Sequence, residues 1–122
     1  VAGRNGATLG STLASVTPAD SVIVISKHPY AHRSVRAAEV AAASGATVIV
    51  LTDSHAFPGL RFADFHFIQR TESPHFFSSY AATLVLIETI TGMLVARAGS
   101  EAEARIQKVD RHNRLLDEFE NV

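Results

Sequence analysis

Val22-Ile23-Val24-Ile25 and Val48-Ile49-Val50-Leu51, separated by an alanine-rich segment from about His32 to Ser44, decide how this chain reads. Both runs are continuously apolar and mostly β-branched over strand length, the pattern of strands covered on both faces in a parallel sheet. Between them Val35, Ala38, Ala41 and Ala42 share one helical face, and Gly45 stands where a helix ends. The unit is therefore a strand, a crossover helix and a parallel strand.

Working outward, Phe65-His66-Phe67-Ile68 is a third short strand, reached through a turn at Pro58 and Gly59 with Leu60 and Phe62 packed in the crossover. Phe77 to about Ala98 predicts a strongly apolar helix that requires a partner surface. Ser100 and Glu103 form an S-x-x-E capping box that opens an amphipathic helix running to Val122, with Ile106, Val109, Leu116 and Phe119 at helical spacing. Upstream, Leu9 to Val16 predicts a short helix ended by Pro18, and Val1 to Gly6 the tail of a strand and its turn. Glycines at 3, 6 and 10 with Ser11 imitate a phosphate loop, but no complete strand precedes them.

The 122 residues, 47% hydrophobic and 19% charged, predict one domain, and a formal net charge of −1 supplies no basic stripe for a nucleic-acid backbone. DNA contact would need another domain. The chain has no cysteine, which removes disulfides and thiolate chemistry and agrees with a reducing cytoplasmic setting. No apolar run is expected to reach the length of a membrane span and no signal peptide is expected, so the chain reads as soluble. The opening on Val1 without Met suggests a piece of a longer protein.

Ligands of open α/β sheets bind at the carboxyl ends of strands, where helix N-termini gather. The first such end is Ser26-Lys27-His28-Pro29-Tyr30-Ala31-His32-Arg33-Ser34, whose hydroxyls, imidazoles and guanidinium suit an anion, phosphate above all. The second is Thr52-Asp53-Ser54-His55, where Thr52 and Asp53 either bond sugar hydroxyls or shape the turn. His28, His32 and His55 lack the regular spacing of a metal site, so no metal or other cofactor is expected. Asp53 and Glu72 are the acids nearest this edge that would serve an isomerising enzyme, and Glu88 in the apolar helix is expected to face solvent.

The run from Asp20 through Asp64 resembles the sugar isomerase (SIS) domain. Ser26, Gly45-Ala46, Thr52-Asp53, Pro58 and Ala63-Asp64 stand in the order of that family's motifs. Glu72-Ser73-Pro74-His75-Phe76-Phe77-Ser78-Ser79 is similar to the segment that opens the next long helix in RpiR-type transcriptional regulators, so the resemblance extends over 20–98. It implies an α/β three-layer domain with a mainly parallel sheet, lacking its first strands, over residues 1–122. It implies a phosphosugar bound by Ser26, His28, His32, Arg33, Ser34, Thr52 and Asp53 without catalysis. A homodimer is implied as well, coupled to a DNA-binding domain outside this chain. An aldose-ketose phosphosugar isomerase is the alternative. In the Ser-x-Ser-Gly-x-Thr loop of the family only Ser26 is kept. His28, Pro29 and Ala31 replace the second serine, the glycine and the threonine, and Pro29 removes an N–H and fixes its φ.

Overall fold

The computed structural model describes residues 8–116, which fall into two units, Val1–Thr83 and Leu84–Val122. The first holds helix α1 (Leu9–Leu13), strand β1 (Ser21–Ser26), helix α2 (His32–Ala43), strand β2 (Thr47–Thr52), a 3-10 turn (Pro58–Phe62) and strand β3 (Phe65–Ile68). The order in the sheet is β1-β2-β3 and both pairings are parallel. The parallel β-α-β expected from the two apolar runs is therefore formed, and the third strand has the expected bounds. The segment Val1 to Gly6 lies outside the described residues.

Each junction has a local cause. Thr8 caps α1, its hydroxyl accepting the Ser11 N–H at 3.1 Å. The Asp20 carboxylate accepts both the N–H and the hydroxyl of Thr17 at 2.8 Å, fixing the turn into β1, and these two bonds hold its pKa below the ordinary value against a small effect of burial. Gly45 ends α2 at φ +78°, a left-handed conformation that other residues adopt only with strain. Asp64 grips Val48 twice: its N–H donates to the Val48 carbonyl at 2.9 Å and its Oδ2 accepts the Val48 N–H at 2.8 Å. That clasp sets the register in which β3 begins.

The pairing register sorts the strand residues into two faces. Val22, Val24, Val48 and Val50 point towards α2 and form one core with Ala38, Ala41 and Phe57. Alanine at 38 and 41, both fully buried, lets the helix backbone lie close on the valine rows. Burying each such valine contributes about 1.5–3 kcal/mol. The opposite face carries Ile23, Ile49 and Phe65 in one row and Ile25, Leu51 and Phe67 in the next; Leu51 is buried, whereas Ile23, Ile25, Phe65 and Phe67 are exposed.

Helix α3 (Ala81–Leu115) enters the second unit, and its backbone breaks at Gly99, where φ is +54° and ψ −135°. Helix stands on either side of residue 99, beginning at Ala81 rather than Phe77 and reaching Leu115; the rest of the segment expected to run to Val122, with Phe119, lies outside the described residues. The break is made by glycine, at the residue before Ser100, and the side-chain hydrogen bonds of the capping box expected at Ser100 and Glu103 are not formed among the described residues. Glu88 is exposed, as expected. One expectation is corrected: α3 contains an 18-residue window with mean hydropathy 1.5, so by length and composition alone it is long and apolar enough to cross a membrane. Polar residues such as Glu88 and Thr89 interrupt the apolar runs, which hid this average from a search for unbroken stretches. In the second unit Leu84, Val85, Met93 and Leu94 are all exposed.

Candidate functional site

Ser26 and Thr52 end adjacent parallel strands and are direct register partners, so their side chains share one face at the carboxyl edge of the sheet. Both are buried, at 6% and 3% exposure. The loops that follow are tied together by Asp53, whose Oδ2 accepts the His28 N–H at 3.0 Å while Thr52 Oγ1 lies 3.4 Å from Oδ1. Asp53 thus does more than shape its own turn: it fixes the loop after β1 from the end of β2. The His28–Pro29 peptide is cis.

Tyr30 braces this arrangement from below. Its ring meets the His28 ring edge-on at 5.7 Å between centroids and tilts against Phe57 at 5.1 Å, and Phe57 belongs to the core. Burial, then hydrogen bonding to Asp53, holds the Tyr30 phenol above its ordinary pKa. For Asp53, burial acts upward, but the His28 N–H, the Tyr30 hydroxyl and further bonds outweigh it, so its carboxyl titrates below its ordinary value. Asp53 is consequently a carboxylate at neutral pH and an acceptor for hydroxyl donors.

A third wall comes from the segment after β3. Thr71, Glu72, Ser73, His75, Phe76, Phe77 and Ser78 line with His28 and Asp53 a shallow, open depression of about 290 Å³, just below the roughly 300–1,000 Å³ typical of small-molecule sites. The segment is closed on itself by the Ser79 N–H donating to the Thr71 carbonyl at 2.9 Å, and anchored by Lys27, whose Nζ donates to the Ser78 carbonyl at 3.0 Å. The same ammonium lies 3.0 Å from the centroid of the Tyr80 ring, a cation–π contact that holds the loop after β1 against this wall. Glu72 faces Arg70 at 3.7 Å.

The remaining residues expected at the site lie on the first turn of α2. His32, Arg33 and Ser34 begin that helix after Ala31, which occupies the N-cap without any side-chain hydrogen bond. Alanine there leaves the first turn uncapped by a side chain, so the helix presents its N–H groups and partial positive charge at the sheet's carboxyl edge. Arg33 and Ser34 border a groove of about 630 Å³ along the outer side of β1, lined also by Leu13, Val16, Ile23 and Ala37. Arg33 makes no ion pair among the described residues; Glu39 is held by Arg36 instead. The expected set thus divides into Ser26, His28, Thr52 and Asp53 around the strand ends, and His32, Arg33 and Ser34 at the helix start.

Three residues at this edge were not legible as site residues in the sequence. Lys27 and Tyr30 sit inside the quoted loop, but only tertiary contacts give them their roles. Gln69 follows β3 directly, and its N–H donates to the Thr52 carbonyl at 2.8 Å. Gln69 is 9% exposed, and its Oε1 is buried without a partner among the described residues. A lone glutamine after a strand carries no motif that would have exposed it.

The comparisons with known proteins agree with this geometry. The SIS domain family matches residues 1–93. No curated protein matches the chain. Among solved structures, the sugar isomerase domain of the RpiR transcription factor from Sphaerobacter thermophilus superposes with a TM-score of 0.77 at 30% identity, over 87% of this chain and 59% of that one. The chain therefore spans about three fifths of the length of that structure. With a family match that covers most of its length and a parallel sheet whose carboxyl edge gathers Ser26, His28, Thr52 and Asp53, the chain belongs to the SIS domain family.

Proposed function

We propose that the chain is the ligand-sensing part of a bacterial transcriptional regulator and binds a phosphorylated sugar, or a related small anion, without turning it over. The observation that carries this reading is the amino end of α2, uncapped by a side chain, which follows the Ser26 end of β1 in a parallel sheet and carries Arg33 in its first turn. The sites of phosphate in open α/β sheets are of this kind. Arg33 adds a charge-assisted and potentially bidentate contact, and Ser26, His28, His32 and Ser34 add donors. The carboxylate of Asp53, with Thr52, suits the hydroxyls at the sugar end.

The reading extends to a homodimer in the cytoplasm whose arrangement the ligand shifts, with a DNA-binding domain outside this chain responding to the shift. The exposed apolar residues of α3 then serve a protein surface rather than a bilayer. Similarity to a domain described as part of a transcription factor supports the regulator over the isomerase.

Calorimetric titration with a panel of pentose and hexose phosphates tests the proposal. Saturable binding is expected, weakened tenfold or more by Arg33→Ala, on the basis that removing a hydrogen bond to a charged group costs about 1.5–3 kcal/mol. Absence of binding to every member of the panel in the full-length protein overturns it. Ketose formation that is lost on changing Glu72 or Asp53 transfers the protein to the isomerases.

A further inference from the structure

Beyond Gly99, the second helical segment carries a pattern that neither the family match nor the ligand site uses. Ala102, Ile106, Val109, Asn113 and Leu116 follow one another at spacings of four, three, four and three residues. That is a heptad seam, with Ile106 and Asn113 at a positions and Ala102, Val109 and Leu116 at d positions. Its large apolar residues are exposed, Ile106 at 52%, Val109 at 48% and Leu116 at 68%, while Ala102 and Asn113 are partly buried. Upstream of Gly99 the same phase falls on Val95, Gly92 and Glu88, so the seam starts where the backbone breaks.

We infer that residues 100–116 pair with the same segment of a second copy of this chain as a parallel, in-register two-stranded coiled coil. The charges beside the seam choose both the partner and the direction. Arg105 is at a g position, Asp110 at the following e position, and Glu103 at the preceding e position. In a parallel pair g meets the next e of the partner helix, so Arg105 faces Asp110 of the other copy, twice by symmetry. In an antiparallel pair e meets e and g meets g, which sets Glu103 and Asp110 against each other and Arg105 against His112. The parallel arrangement brings opposite charges together, and the antiparallel one sets carboxylate against carboxylate at Glu103 and Asp110. Within a single chain Asp110 bonds Arg114 at 3.0 Å, and that exposed pair remains available for sharing when Arg105 arrives.

Asn113 strengthens the assignment. An asparagine at an a position meets its own counterpart only in a parallel, aligned dimer, where the two amides hydrogen-bond to each other; shifted or reversed pairings bury each amide against apolar side chains. Asn113 and Ile106 at a with Leu116 at d favour two strands, a preference that the β-branched Val109 at d does not share. The inference stands apart from the ligand proposal, since no residue of the seam belongs to the carboxyl edge of the sheet.

The absence of cysteine makes the test clean. In the full 122-residue chain, Val109→Cys places one thiol in the seam and Lys108→Cys one thiol at an outward c position. Under mild oxidation Val109→Cys is expected to run as a disulfide-linked dimer while Lys108→Cys remains largely monomeric on non-reducing gels. Arg105→Glu in the Val109→Cys background slows the cross-link, and Arg105→Glu with Asp110→Arg restores it. Circular dichroism of the reduced variants verifies that the helices are intact, and Asn113→Cys provides a second seam position if Val109→Cys perturbs them. Cross-linking at residue 109 or 113 no faster than at 108, or a double charge reversal that fails to restore it, overturns the inference.

Discussion

Gly59→Ala is a one-methyl perturbation whose consequence follows from distances in the 3-10 turn. A Cβ on residue 59 lies 2.5 Å from Phe57 Cε1 and 2.6 Å from Phe57 Cζ, well inside van der Waals contact. The phenyl ring has nowhere to retreat, because Phe57 is 2% exposed and packs on Tyr30 at 5.1 Å between centroids. Overpacking of this kind costs about 1–3 kcal/mol. Restricting the unfolded chain by replacing glycine returns about 0.4–1 kcal/mol, so the expected net loss is about 1–2 kcal/mol. In a unit of this size each kcal/mol lowers Tm by about 4–8 °C. Thermal and urea denaturation of the wild type, Gly59→Ala, Phe57→Leu and the double variant measure it. Phe57→Leu removes the ring atoms that meet the new methyl, so the two changes are not additive and the double variant loses less than the sum by about 0.5 kcal/mol or more. Additive losses, or a Gly59→Ala variant as stable as the wild type, refute the reasoning.

The Asp53 carboxyl titrates below its ordinary value in the folded state, so its contribution is present above the unfolded carboxylate pKa and lost as pH falls through the lower folded one. Asp53→Asn is therefore expected to flatten the fall in unfolding midpoint below about pH 4, with Asp20 retaining part of the slope; an unchanged slope contradicts the assignment. Gly45→Ala places a Cβ at φ +78° and 3.2 Å from Pro18 Cγ, and is expected to cost at least about 1–2 kcal/mol in chemical denaturation; a neutral variant shows that the turn relaxes. Ala41→Leu, at a fully buried position facing the valine rows, is expected to cost about 1–3 kcal/mol. Ala43→Leu on the exposed end of the same helix is expected to leave the midpoint within about 0.5 kcal/mol, and equal losses at both positions contradict the packing described for α2.

The sheet was legible because its strands are continuously apolar, even on the face where Ile23, Ile25, Phe65 and Phe67 are exposed among the described residues. Val22 to Ile25 and Val48 to Leu51 are unbroken apolar runs, and both became central to the parallel pairing. Gly45 announced the end of α2 because only glycine takes its φ cheaply. Phe65 to Ile68 was found from the preceding turn, although the Asp64 clasp that sets its register could not be inferred, since Ala63-Asp64 reads equally well as a solvated turn. The start of α3 was displaced because residues 77–80 are spent on the wall of the depression: Ser79 and Tyr80 hold contacts with Thr71 and Lys27 that local periodicity does not record.

The site was legible in location and only partly in membership. Ser26, His28, Thr52 and Asp53 gather as strand ends should, since register partners on parallel strands end together. Arg33 and Ser34 turn towards the groove beside β1, because the first turn of α2 rotates successive side chains by about 100° each. Lys27, Tyr30 and Gln69 were missed for the converse reason. Each acquires its place from a partner distant in sequence, Ser78, Phe57 and Thr52 respectively, and no local motif marks them.

The central claim is that a sugar phosphate binds where Ser26 and Thr52 end their strands beside the start of α2. It is tested most directly by following backbone amide resonances of the uniformly labelled protein during titration with hexose and pentose phosphates, the matching free sugars and inorganic phosphate. Saturable shifts are predicted for at least one sugar phosphate, concentrated at residues 26–34 with Thr52 and Asp53, weaker for inorganic phosphate and absent for the free sugar. Saturable shifts centred elsewhere, or none with any sugar phosphate, would contradict the account.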